Sequence, residues 1–173
     1  PGITNITNDV KYQMNPFVKD YFKSRRLLDF SNLNKEVTPG GVNLIGYINY
    51  EFGLAQTSRS LIESLQHANI PLNIIEKVLN NKKRNNYYST SSKFNFDINI
   101  HSYNPNDTNL KYHKNRYNIG VWFFELESLP DDWKSVSDNF DEIWACTSFL
   151  EGVFRKELPN KKIDRKSTRL NSS

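Results

Sequence analysis

The chain has 173 residues, 37% of them hydrophobic and 13% aromatic, with a formal net charge of +4. That length suits about one domain with a core of its own, and no apolar run approaches the ~18–20 residues of a membrane-spanning helix, which excludes that class. The lone cysteine, Cys146, excludes an intrachain disulfide framework and a multi-cysteine zinc site.

Residues 1–40 are polar and irregular and read as a linker or lead-in segment. Within them Asn15-Pro16 can open a short helix that reaches Leu28, with Phe17, Tyr21 and Leu28 on one side. Thr38-Pro39-Gly40-Gly41 then breaks the chain. Val42–Ile48 is a β-prone apolar run, and the loop Asn49–Gly53 follows it. Leu54, Ser58, Leu61, Ile62, Leu65 and Ala68 recur at the helical period. Asn69 is placed to turn left-handed at that helix's end, and Pro71 prevents its continuation. Leu72–Ile75 is the next strand, which completes a right-handed βαβ unit.

Val78–Phe96 is rich in Asn, Lys, Tyr and Ser and reads as a loop with at most a short helix. Phe96–His101 alternates as a strand does, and Tyr103–Asp107 has turn chemistry. Tyr117–Phe124 is the most apolar run, as expected of a strand buried on both faces of a parallel sheet. A helix starts near Pro130, with Asp131 and Asp132 at its positive end. Glu142–Cys146 is a further strand, and Thr147 or Ser148 caps a last helix carrying Phe149, Val153, Phe154 and Leu158 on one face. The tryptophans at 122, 133 and 144 mark successive strand, helix and strand core positions. The pattern predicts an α/β fold over residues 41–163: a Rossmann-like open parallel sheet of about five strands with helices on both faces.

The ends of the chain carry two expectations. Pro1-Gly2 opens it and Met14 is its only methionine, as in a processed or fragmentary start. Residues 164–173 resemble the translated read-through of a sequencing adapter, an artefactual tail expected to pack against nothing. The tail holds three basic residues and one acid, so residues 1–163 carry only +2 of the +4. A nucleic-acid partner thereby loses its electrostatic support.

Ligands of open parallel sheets bind at the carboxyl ends of the strands. The first such end offers Asn49–Gly53, with Gln56 and Arg59 on the opening turns of the helix, where free backbone amides suit a phosphate or carboxylate. Neither GxGxxG nor GxxxxGK[ST] is present, which weakens the NAD(P) and nucleotide-triphosphatase readings. Gly46 and Gly53 would let the backbone pass close to a ligand. Glu125 and Glu127 follow the buried strand and could accept bonds from hydroxyls or serve acid–base chemistry. His101 ends its strand at the same edge. His67 suits the end of a helix and His113 a solvent-facing loop, so three scattered histidines give no metal site. Cys146 lies in a β run, where a thiol is buried and inert.

Three blocks carry a resemblance. Gly46-Tyr47, Glu51-Phe52-Gly53-Leu54 and Arg59 form the first; Ile119–Glu127 with Pro130 and Trp133 the second; Asp141–Trp144 with Ser148-Phe149 the third. In order and spacing, over about residues 42–158, they resemble the N-terminal half of family-four retaining glycosyltransferases. The second block is similar to that family's IGxWxWELExxP stretch and the third to its DEIWxxSxF stretch. His101 and Asn104 resemble a strand-end HxxN piece. Gln56 stands where the family often has Glu, and Ala55 where it has Gly, which implies a less open loop.

The resemblance implies one half of a GT-B architecture, in which the N-terminal domain receives the acceptor and a C-terminal domain grips the nucleotide-sugar. It implies His101 and Glu125 as catalytic residues. Glu51, Phe52, Gly53, Gln56, Arg59, Asn104 and Glu127 would bind donor phosphate or acceptor. No metal and no cofactor is implied. The partners are a nucleotide-sugar donor, a glycan or lipid-linked acceptor, and the missing C-terminal domain, without which the chain is expected to be inactive. The expected location is cytoplasmic with peripheral membrane contact, where Lys82, Lys83 and Arg84 among tyrosines could touch anionic lipid. The alternatives are a non-catalytic Rossmann-like module that binds a ligand or partner, and a structural domain without a ligand. The structural reading is told apart by whether Glu51, Arg59, His101 and Glu125 converge on one cleft.

Overall fold

The computed structural model describes residues 40–105 and 115–165. The helix expected after Pro16, His113, the end of the turn at 106–107 and tail residues 166–173 lie outside the described residues.

The apolar runs form β1 (Val42–Gly46), β2 (Leu72–Glu76), β3 (Ile98–Ser102), β4 (Tyr117–Trp122) and β5 (Glu142–Ala145), and a sixth strand follows, β6 (Lys162–Arg165). All neighbours pair in parallel, in the order β2-β1-β3-β4-β5-β6. Ile75 pairs with Ile45 on one side and makes an isolated parallel bridge to Ser91 on the other. If that bridge is counted as a rudimentary third strand, the spatial order begins 3-2-1-4-5-6, as in Rossmann folds.

The sixth strand corrects the expected five. It also corrects, for the first two tail residues, the expectation that the tail packs against nothing, because Asp164 pairs with Trp144 and Arg165 with Ala145. Its single apolar residue, Ile163, is buried, while Lys162 reaches the Glu142 carboxylate at 3.2 Å. Glu142 is itself fully buried and accepts from Tyr117 Oη at 2.9 Å and Trp144 Nε1 at 2.8 Å. A charge can be buried there because its oxygens are bonded.

Helix α1 (Gly53–His67) packs Leu61 and Ile62 on the sheet face formed by Val42, Leu44, Ile98, Ile100, Ile119 and Val121. It ends where Asn69 turns left-handed (φ 55°), while Ile70 N donates to Leu65 O. Helices α2 (Asp131–Ser137) and α3 (Ser148–Glu157) cover the opposite face, with Trp133, Leu150, Val153 and Phe154 on Trp122, Ile143 and Ala145. Thr147 caps α3 by accepting from Leu150 N at 3.1 Å. Each fully buried Ile or Leu of these layers contributes roughly 1.5–3 kcal/mol. Gly46 is needed for contact with α1 rather than with a ligand: a Cβ there would meet Ser58 Oγ at 2.6 Å, and Ser58 Oγ donates to Ser102 Oγ at 2.9 Å.

Near the amino edge, the face opposite α1 carries a row of buried asparagines in register. Asn73 Nδ2 donates to Asn43 Oδ1 at 3.1 Å, Asn43 Nδ2 to Asn99 Oδ1 at 2.9 Å, and Asn99 Nδ2 to Asn118 Oδ1 at 3.0 Å. Each is buried, so each amide must find partners within the protein. Asn43 also accepts from Asn95 N and donates to Phe96 O, which closes the following loop over the row. Among the described residues no helix is long and apolar enough to cross a membrane.

Candidate functional site

The chain reverses direction across the sheet between β1 and β3, so the ligand crevice of this topology lies beyond Gly46 and Ser102. Loop 47–52 fills its β1 side. Asn49 is fully buried: its backbone N donates to Glu76 Oε1 at 2.9 Å, and its Oδ1 accepts from Tyr88 N at 3.0 Å. Arg84 also holds Glu76, at 3.0 Å. Tyr47, Tyr50, Phe52 and Tyr103 form an aromatic cluster over the crevice, with ring centroids 5.4–6.4 Å apart for Tyr47 and its three neighbours. Lys77 Nζ lies 4.8 Å from the Tyr103 ring centre.

Arg59 braces the loop. Its Nη1 donates to Ile48 O at 2.9 Å and Tyr50 O at 2.7 Å, its Nη2 donates to Gln56 Oε1 at 2.8 Å, and its guanidinium stacks on Tyr87 at 4.7 Å. Neither Glu51 nor Glu125 bonds it. Glu51 Oε1 instead accepts from Asn85 Nδ2 at 3.0 Å and from Tyr87 Oη. That hydrogen bond to Glu51 is the main reason the Tyr87 phenol is raised above its ordinary range. Phe52 occupies the N-cap position of α1 and has no polar side chain to cap it, and no acid lies in the first turn. The helix thus presents uncapped amides at its positive end. Gly53 is exposed, with open space around it.

The structure therefore brings Glu51, Phe52, Gly53, Gln56 and Arg59 together. The remaining expected residues stand apart from them. Asn104 accepts from Phe123 N at 2.9 Å, which ties the ends of β3 and β4. Glu125 and Glu127 are exposed and have no hydrogen-bond or ion-pair partner among the described residues. β4 lies two strands from β1, or roughly 10 Å at the usual strand spacing. His101 is fully buried rather than open at the edge: Nδ1 meets Tyr103 Oη at 2.8 Å, and Nε2 meets Asn118 Oδ1 at 3.0 Å. It faces Phe140 and the asparagine row because the odd-numbered positions of β3 point away from α1.

A shallow pocket of about 430 Å³ adjoins the brace, lined by Tyr50, Glu51, Phe52, Leu79, Lys82 and Lys83. Tyr50, Leu79, Tyr87 and Tyr103 were not singled out from the sequence. For Tyr50 and Tyr87 the signal is the density of tyrosines around 47–50 and 87–88, which has no fixed spacing to a motif, and Leu79 and Tyr103 carry no such signal. Cys146 is half-buried, and burial pushes its thiol up to about 11, so it stays protonated at neutral pH.

No known family, curated protein or solved structure matches the chain. The class that the fold defines is an α/β Rossmann-like domain with an arginine-braced loop after β1, beside its topological switch point.

Proposed function

We propose that the chain is the acceptor-side domain of a retaining, nucleotide-sugar-dependent glycosyltransferase. The observation that carries this reading is the Arg59 brace. A guanidinium fixes loop 48–50 so that Glu51, Phe52 and the uncapped start of α1 line one crevice. Sugar transfer needs the departing diphosphate stabilised and the acceptor hydroxyl held in place. Helix-start amides suit the first task, while the exposed Glu51 carboxylate and the half-buried Phe52 ring suit the second. Glu125 and Glu127, exposed after β4 two strands away, are available to acceptor hydroxyls. His101 acts in this reading as a positioning residue, through Tyr103. The acceptor is a glycan or lipid-linked glycan at the cytoplasmic side of a membrane, and a second domain supplies the donor pocket.

The test is the protein encoded by the whole reading frame. It should release nucleoside diphosphate from a nucleotide-sugar only when acceptor is present, and Arg59→Ala should abolish that release with the fold intact. If the frame encodes no donor-binding domain, or release does not depend on Arg59, the reading fails. A non-catalytic binding module is the second reading, favoured by the placement of Glu125 and Glu127 after β4, two strands from the β1 loop, which leaves no acid–base pair assembled. Ligand binding without any transfer by the whole protein would select it.

A further inference from the structure

We propose that the pocket bounded by Tyr50, Phe52, Leu79, Glu51, Lys82 and Lys83 is a subsite for a phosphorylated saccharide. Calling that ligand the acceptor rests on the transferase reading, but its binding does not.

The walls set the ligand's body. Tyr50 and Phe52 have ring centroids 6.1 Å apart and tilted by 36°, and Phe52 is only half-buried. Tyr50 is buried and supports the floor from beneath, and the half-buried Phe52 and Leu79 give the apolar surface of the kind that packs on the C–H face of a sugar ring. The volume, about 430 Å³, is at the small end for ligand sites.

The polar groups set its charge. Lys82 and Lys83 are exposed and have no hydrogen-bond or ion-pair partner among the described residues. Their loop is already held by the bond from Arg84 to Glu76 and by the bond from Asn85 N to Asn49 O at 2.8 Å. Little ordering of the backbone is then lost when a ligand arrives. Glu51 takes its hydrogen bonds from Asn85 and Tyr87 on Oε1, which leaves Oε2 to accept from a sugar hydroxyl. Two lysines against one carboxylate, beside an uncapped helix start, favour a phosphate over a neutral glycan. The same two lysines are too few to hold the domain on an anionic bilayer without further contacts.

The experiment follows the backbone amides of the full 173-residue chain by NMR during titration with glucose 1-phosphate, inorganic phosphate, methyl glucoside and phosphatidylglycerol vesicles. Glucose 1-phosphate should shift the amides of Glu51, Phe52, Lys82 and Lys83 and bind more tightly than either half-molecule. Replacing both lysines, Lys82→Gln with Lys83→Gln, should weaken it about tenfold. Phe52→Leu, which keeps the apolar filling, should remove the preference over inorganic phosphate. The proposal is overturned if glucose 1-phosphate shifts no amide or only distant ones, or if inorganic phosphate binds equally well. It is also overturned if vesicles bind through the two lysines while the sugar phosphate does not, which would make the loop a membrane contact. A nucleotide-sugar titration of the whole-frame protein separates the two proposals. Donor binding without sugar-phosphate binding removes only this subsite, and the reverse result removes only the transferase reading.

Discussion

Arg59 donates from Nη1 to the Tyr50 carbonyl at 2.7 Å, so a residue in the second turn of the first helix holds the loop that precedes that helix. Arg59→Ala removes this bond together with those to Ile48 O and Gln56 Oε1. A loss of about 1–2 kcal/mol is expected in urea denaturation, with faster amide exchange over residues 49–53. Arg59→Lys should recover only part of it, because an ammonium lacks the fork that spans two carbonyls and a side-chain amide. Unchanged exchange in the alanine variant would show that the loop holds itself.

Asn43 is the best-connected member of the asparagine row, bonded to Asn73, Asn95, Phe96 and Asn99. Asn43→Leu strands several of these groups out of water and should cost about 3 kcal/mol or more. Asn43→Asp should be at least as damaging, because it cannot donate to Phe96 O or Asn99 Oδ1 and adds a buried charge. The exposed Asn139→Ala should stay within about 0.5 kcal/mol of wild type. Equal midpoints for the Asn43 and Asn139 variants would deny the row any weight in stability.

Asp97 is buried, and neither of its carboxylate oxygens has a hydrogen-bond partner. Burial pushes its carboxyl above the ordinary value of 3.8, and the Arg116 guanidinium opposes that shift. The native state therefore keeps the proton longer than the unfolded chain does. Stability from this group falls as pH rises from 3.8 to the native value and is level above it. Asp97→Asn cannot charge, so it should melt higher at pH 7, on the order of 2–4 °C. The advantage should shrink as the pH is lowered through the native value. A variant that melts lower at pH 7 would mean that the carboxylate is needed in its charged form.

Cys146 makes a second pH prediction, at the alkaline end. With the native thiol at about 11 and the ordinary value at 9.0, the unfolded chain releases its proton first. Stability should fall between pH 9 and 11, and Cys146→Ala should flatten that fall. At pH 8 only about one native thiol in a thousand is thiolate, so alkylation should be slow until the protein is denatured. Fast labelling of the native chain would place the thiol in a different environment.

Five strands and three helices could be read from the sequence because each announces itself locally, by apolar runs such as Tyr117–Trp122 or by Asn69 and Thr147 at helix ends. β6 did not, because Lys162-Ile163-Asp164-Arg165 has one apolar residue and is held to β5 by pairing and by Glu142. The β1-loop group was legible, since its members are neighbours in sequence. The burial of His101 was not: that depends on Asn118 and Phe140 arriving from other elements. The asparagine row did leave a trace, one Asn between apolar residues near the start of four strands: Val42-Asn43-Leu44, Leu72-Asn73-Ile74, Ile98-Asn99-Ile100 and Tyr117-Asn118-Ile119.

Those four short strands are near-interchangeable in hydrophobicity, so apolar burial alone discriminates poorly between correct and shifted alignments while the sheet assembles. The amide row penalises the errors. A strand displaced by one residue would turn its asparagine into the apolar layer under α1, and one displaced by two would leave donors facing carbons. The row thus acts as a proofreading device for sheet assembly, placed at the edge opposite the crevice, where the loops that meet ligands can change without disturbing it.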